Sequence, residues 1–130
     1  MSEYDREVVV ERLTMLLEAL ERIPRRFAGI AEPEDFVASD DGIDRMDAIC
    51  MILIAAGEAI KRIDRVTEGR LLTRYPHVEW RGVMGVRDVL AHGYFQVNAE
   101  QLFAICRDDI PTLIDTVRKM IEDTQRGAAS

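Results

Sequence analysis

Apolar residues recur at three- and four-residue spacing along most of the chain, the period of helices with one buried face. Val9, Leu13, Leu16, Leu17 and Leu20 form the first stripe, with charged residues between them. They predict a helix from about Glu3 to Ile23. Pro24 ends it or starts a further turn, because proline has no backbone N–H to continue the ladder. "AEPEDFVASDDG" reads as a loop with one helical turn around Phe36. A second helix starts near Ser39–Asp41, where carboxylates suit the positive end of the helix dipole. It runs to about Thr67, and Gly69 suits its stop. Its middle, "AICMILIAAG", is apolar on nearly every side. That places it at the centre of a bundle, or partly in a subunit interface. After the loop "RLLTRYPHV", a third helix runs from about Glu79 to Ala91 or His92, with Gly93 as its stop. Asn98 and Gln101 form a capping pattern for a short helix to about Arg107. Asp108 or Asp109, followed by Pro111, opens the last helix, which ends near Thr124. Its stripe is Ile110, Leu113, Ile114, Val117 and Ile121. No strand alternation and no internal repeat interrupts this pattern. The expected fold is all-α: an antiparallel helical bundle of four longer helices plus one short one. It should form a single domain over residues 1–126, with 127–130 as a loose tail.

Composition agrees with a folded, soluble domain. The chain has 130 residues, 48% apolar and 32% charged, enough for one core and short for two. The longest apolar run falls well short of the roughly 20 residues a membrane span needs. The charged opening "MSEYDREVVVERL" does not resemble an export signal. Cys50 and Cys106 sit inside apolar helical patterns, as reduced core residues do. The expected location is the cytoplasm. A net charge of −7 argues against a surface that binds nucleic acid indiscriminately. The charge is uneven, however. Residues 1–60 carry 6 basic against 14 acidic side chains, residues 61–94 carry 7 against 4, and residues 95–130 carry 4 against 6. A phosphate ligand would go to the positive middle third. Charge pattern alone equally allows Lys61, Arg62 and Arg65 to be a solvated helix end.

Metal, nucleotide-loop and nucleophile-elbow patterns are missing. His77 and His92 stand apart, Cys50 and Cys106 are distant in sequence, and no P-loop or dinucleotide glycine pattern occurs. Asp40, Asp41, Asp44 and Asp47 are better read as helix-start charges than as metal ligands. No cofactor and no metal are expected. What remains is "MGVRDVLAHGYFQVN", which sets Arg87, His92 and Tyr94 within eight residues. An Arg-x4-His pair arises by chance in roughly one such chain in four; adding the tyrosine lowers this to about one in 200. Taken as residues only, His92 could cap the end of the third helix and Tyr94 could be an ordinary core or rim aromatic.

The stretch "GVMGVRDVLAHGYFQVN" resembles the HepT-like branch of the HEPN superfamily, small all-helical proteins of prokaryotic toxin–antitoxin pairs. That family carries Arg, four residues, His, one residue and Tyr at a helix end, matched here by Arg87, His92 and Tyr94. Further landmarks agree: Gly57, Glu58 and Ala59 in "IAAGEAIKRI", Pro76 and Trp80 in "PHVEWRGVMGVRD", and the Ile-Pro step into the last helix in "ICRDDIPTLIDTV". The position after the arginine is often Asn in the family and is Asp88 here. The resemblance implies the toxin of a type VII-like pair, a metal-independent RNA endonuclease. His92 would be acid or base and Arg87 the phosphate ligand, with Glu58 and Asp88 as supporting candidates, although an ordinary Glu58–Arg62 helix pair is the plainer reading of Glu58. It further implies a homodimer and an MntA-like nucleotidyltransferase partner that silences the toxin by transferring AMP to Tyr94. On an unbroken helix, residues five apart point about 140° apart and residues seven apart nearly align. Arg87 and Tyr94 would then share a face without His92, unless the helix ends before His92 or two chains supply the groups. Two other classes stay open on the sequence: a noncatalytic binding partner of the nucleotidyltransferase, and a nucleotide- or RNA-binding module without turnover.

Overall fold

Three long helices carry the architecture. In this computed structural model, residues 5–90 and 97–127 are described. Helix α1 spans Arg6–Leu20, α3 spans Asp40–Val66 and α7 spans Ile110–Gln125. Asp5 caps α1, its carboxylate accepting from the Glu7 and Val8 amides. The apolar stripe of α1 faces inward: Val9, Leu13 and Leu20 are fully buried. They pack on α3 and α7, whose Val117 and Met120 are equally enclosed. Among the described residues there is no strand, so the expected all-α bundle is what forms.

Helix α3 is the central rod. Ser39 caps it, its hydroxyl accepting from the Gly42 amide at 3.0 Å. At 27 residues it is about 40 Å long and runs from one end of the bundle to the other. Ile49, Ala56, Ile60 and Ile63 are each no more than 1% exposed. The helix stops where Glu68 (φ 55) and Gly69 (φ 77) turn left-handed. Helix α2, Arg22–Phe27, follows α1 after a break at Glu21, three residues before Pro24. Arg45 of α3 ties it down by donating to the carbonyls of Arg26 and Ala28 at 3.1 and 3.0 Å. The expected turn around Phe36 is a 3-10 turn over Pro33–Phe36, with the Phe36 ring fully buried.

Two features depart from the expected pattern. The third helix comes as two short pieces, α4 over Trp80–Met84 and α5 over Val86–Leu90, broken at Gly85. The Gly85 amide still donates to Arg81, but its ψ of 13° leaves the helix, and the next bond, Asp88 to Gly85, spans only three residues. The stop expected at Gly93 lies outside the described residues. The second departure is at the other end. The short helix α6, Ala99–Ala104, is capped by Asn98 as expected. It does not end before the last helix, but runs into it through a π-helical turn over Ile105–Asp109. Pro111 accounts for this. It has no N–H for the Arg107 carbonyl, and its ring would crowd that carbonyl in a regular helix. A wider turn, with the Ile110 amide reaching back to Ile105, relieves both. No helix among the described residues is long and apolar enough to cross a membrane.

Candidate active site

The turn ahead of α4 is clamped from three sides. The Trp80 indole N–H donates to the Tyr75 carbonyl at 2.9 Å and closes the turn on itself. The Tyr75 hydroxyl donates to Asp123 Oδ2 at 2.7 Å. His77 Nε2 lies 2.9 Å from Thr116 Oγ1. Both partners belong to α7. Pro76 and Trp80, landmarks in the sequence, thus begin a segment anchored to the last helix. His77 works as an anchor there.

Gly57 does the corresponding work on α3. A Cβ at this position would stand 2.8 Å from the Val83 carbonyl oxygen, and 3.6 Å from Val86 Cγ1. Only glycine lets α3 come this close to the α4–α5 junction. The approach also explains the residue beside it. Glu58 sits next to the contact on an exposed part of α3 and feels the charge of Arg87 on α5. Its hydrogen-bonded partner is Lys61 at 2.9 Å, rather than Arg62 as ordinary four-residue helical pairing would suggest. Lys61 holds the Glu58 carboxyl below the usual carboxylate range, first by that bond and then by its charge; Arg87 and Arg62 add to the effect.

Arg87 itself is exposed on α5, between the buried Val86 and Leu90. It makes no hydrogen bond or ion pair with another described residue, and its guanidinium is available to an anion. Asp88 follows it, also exposed and also without an ion pair among the described residues. Lys61, Arg62 and Arg87 thus form a basic edge around Glu58, with Asp88 beside Arg87. Sequence reasoning flagged Arg87 and Glu58, but not Lys61 as the group that occupies Glu58. His92 and Tyr94 lie outside the described residues. Among the described residues no group of three or more His, Cys, Asp or Glu gathers as a metal site. Asp41 instead pairs with Arg45 at 2.8 Å, as a helix-start charge. Cys50 and Cys106 are buried free thiols, as expected from their apolar surroundings.

Comparison with known proteins gives this edge its context. Residues 5–120 match the family described as "Ribonuclease HepT-like". The protein MJ0127 of Methanocaldococcus jannaschii, named as a candidate RNase, is 31% identical over 78 residues, which is 60% of this chain and 61% of that protein. TTE0752 of Caldanaerobacter subterraneus subsp. tengcongensis, likewise named, is 30% identical over 110 residues, 85% of this chain and 91% of that protein. MJ0434 of M. jannaschii, named as a gamma-glutamylcyclotransferase and candidate RNase, is 27% identical over 114 residues but is covered over only 48% of its length. Against MJ0127 the matched part is therefore about three fifths of the relative. No solved structure matches the chain. With nearly its whole length matched by one family, from Asp5 through α7 to Met120, this chain belongs to the HepT-like ribonucleases of the HEPN superfamily.

Proposed function

We propose that this protein is the RNA-cleaving toxin of a two-gene toxin–antitoxin pair. The observation that carries the reading is Arg87: an exposed guanidinium with no partner among the described residues, on a helix that Gly57 and the clamped turn hold in place, in a chain of a ribonuclease family. RNA brings its own nucleophile. A base takes the proton from the 2′-hydroxyl, whose oxygen attacks the adjacent phosphorus. The P–O5′ bond breaks, and an acid protonates the departing 5′-oxygen. The products are a 2′,3′-cyclic phosphate and a free 5′-hydroxyl. Arg87 holds the phosphate and offsets the charge that grows on its oxygens in the transition state. His92 is the acid or base, being the side chain of the motif that titrates near neutral pH. Glu58, already held by Lys61, acts as a local counter-charge that orients the basic edge. Asp88 borders the phosphate site and sets an upper limit on its positive potential.

Control acts at the same place. In this reading an MntA-like nucleotidyltransferase transfers AMP to Tyr94, two residues beyond His92, and the adduct's phosphate occupies Arg87 in place of RNA. The toxin acts as a homodimer in the cytoplasm, so that two copies of His92 share one cleft. The exposed stripe of α3 supports the dimer: Met51 is 75% exposed and Ala55 lies one turn on. Growth on induction tests the reading. The parent chain should slow growth, and Arg87→Ala and His92→Ala should each relieve it with the helical content unchanged. Equal toxicity of both variants would remove the catalytic assignment. A harmless parent that still binds RNA or the nucleotidyltransferase would favour the binding-module reading.

A further inference from the structure

A concave site lies on a different side of α5 from Arg87. It is a cavity of about 410 Å³ between the α4–α5 pair and the π-turn with the start of α7. Leu53 and Ala56 of α3 form its floor. Val83, Val86 and Val89 line one wall, and Ile105, Ile110 and Leu113 the other. The wall from Ile105 to Leu113 is about 13 Å long at helical rise. The slot therefore suits a small elongated molecule, and its volume falls in the range of ordinary ligand pockets.

The rim decides the charge of that molecule. Two carboxylates stand on it, Glu79 and Asp109, one from each wall. Both are exposed, and neither forms an ion pair with a described residue. Two further polar groups of the lining, His77 Nε2 and the Thr112 carbonyl, are engaged by the Thr116 hydroxyl, at 2.9 and 2.8 Å. Among the described residues no lysine or arginine lines the slot, and the Nε2 of its histidine, His77, is engaged by Thr116. A ligand that buries an apolar body between the valines and isoleucines would leave its polar end at two unpaired negative charges. The π-turn, an irregularity that often accompanies a site, supplies both Ile105 and Asp109.

We propose that this slot binds a small apolar cation, an aromatic or aliphatic body ending in a protonated amine. The site is separate from the RNA-cleaving edge and does not depend on the ribonuclease reading. It does share α5 with Arg87, so its occupant packs against the helix that carries the phosphate ligand.

The test titrates the full chain with naphthylmethylamine, naphthylmethanol and naphthoate, three probes of similar body and different charge, and follows backbone amide shifts. Saturable binding of the amine is expected, with shifts centred on Val83, Val86 and Val89. The amine should bind about fivefold more tightly than the alcohol, the scale of two solvated charge pairs, with naphthoate weakest. The double variant Glu79→Gln/Asp109→Asn should bring the amine down to the alcohol without weakening the alcohol. Val89→Trp, at a position already 38% exposed and so tolerant of size, should fill the slot and weaken amine and alcohol at least about tenfold. The proposal is overturned if the amine does not saturate, if naphthoate binds as tightly, or if the shifts lie elsewhere. It is equally overturned if the same amides shift with protein concentration alone, since a second copy of the chain would then be the occupant.

Discussion

Replacing Gly57 with alanine asks whether the close approach of α3 to the α4–α5 junction sets the site. In an open helix interior the change should stabilise, because alanine is favoured over glycine by about 1 kcal/mol. Here the new Cβ would be 2.8 Å from the Val83 carbonyl oxygen and 3.5 Å from that of Met84. Those are backbone atoms, and they cannot swing aside as a side chain would. Forcing a methyl group into such a contact costs about 1–3 kcal/mol. The expected net effect is a loss of up to about 2 kcal/mol, at roughly 3–6 °C in Tm per kcal/mol for a chain of this length. Gly82→Ala is the matched control. Its Cβ would meet only the Glu79 side chain, at 3.4 Å. It should leave stability unchanged or raise it by up to about 1 kcal/mol. Urea and thermal unfolding followed by far-UV circular dichroism gives both values. Equal stability of the two variants, or a Gly57→Ala protein more stable than the parent, would refute the packing argument and with it the role given to Gly57 in placing Arg87.

Two further outcomes follow from the same contacts. The Tyr75 hydroxyl holds the Asp123 carboxyl below the usual carboxylate range, against the opposing effect of desolvation and with help from Lys119. A depressed carboxylate stabilises the fold above its unfolded pKa, and the contribution is lost as pH falls through the folded value; Tyr75→Phe should therefore lower Tm at neutral pH, with the gap closing below about pH 4. A gap that stays constant down to acid pH would mean the hydroxyl contributes through something other than Asp123. Burial pushes the Cys50 thiol up to about 11 and the Cys106 thiol up to about 12. Both should therefore resist iodoacetamide at mildly alkaline pH in the native protein and react once it is unfolded; rapid labelling of the native chain would contradict their place in the core.

The long helices were readable because each carries a complete period-3.6 stripe, and α1 and α3 a capping side chain as well. Val9 to Leu20 and Ile110 to Val117 point inward as their spacing implies, Ser39 and Asn98 cap as their side chains allow, and Gly69 ends α3 through its positive φ. Where two elements meet, the sequence said less. The stripe through Val83, Val86 and Leu90 keeps helical spacing across Gly85, so periodicity sees one helix where the backbone makes two. Gly57, Gly82 and Gly85 were the available signal, but a glycine does not say what approaches it. The π-turn was hidden because Pro111 has two remedies, a new helix start or a wider turn, and the choice depends on what Ile105 and Cys106 pack against. At the site, Arg87 was flagged by the motif stretch and Glu58 by the separate landmark "IAAGEAIKRI". The pairing of Glu58 with Lys61 instead of Arg62 was not, since three- and four-residue spacings are nearly equal in energy. The slot beside α5 could not be read at all, because its walls come from separate segments of the chain, residues 83–89 and 105–113.

The chemistry of the RNA ends tests the central claim most directly. The purified chain is incubated with mixed single-stranded and structured RNA in excess EDTA, alongside Arg87→Ala and His92→Ala, and the 3′ ends are analysed. The account predicts cleavage that EDTA leaves intact, products ending in 2′,3′-cyclic phosphate with free 5′-hydroxyls, no cutting of DNA of the same sequence, and loss of at least about 100-fold in rate in each variant, the usual contribution of one acid–base group or one charge-stabilising donor. Intact RNA with the parent chain, or 3′-hydroxyl ends, or cleavage that both variants retain, would contradict it.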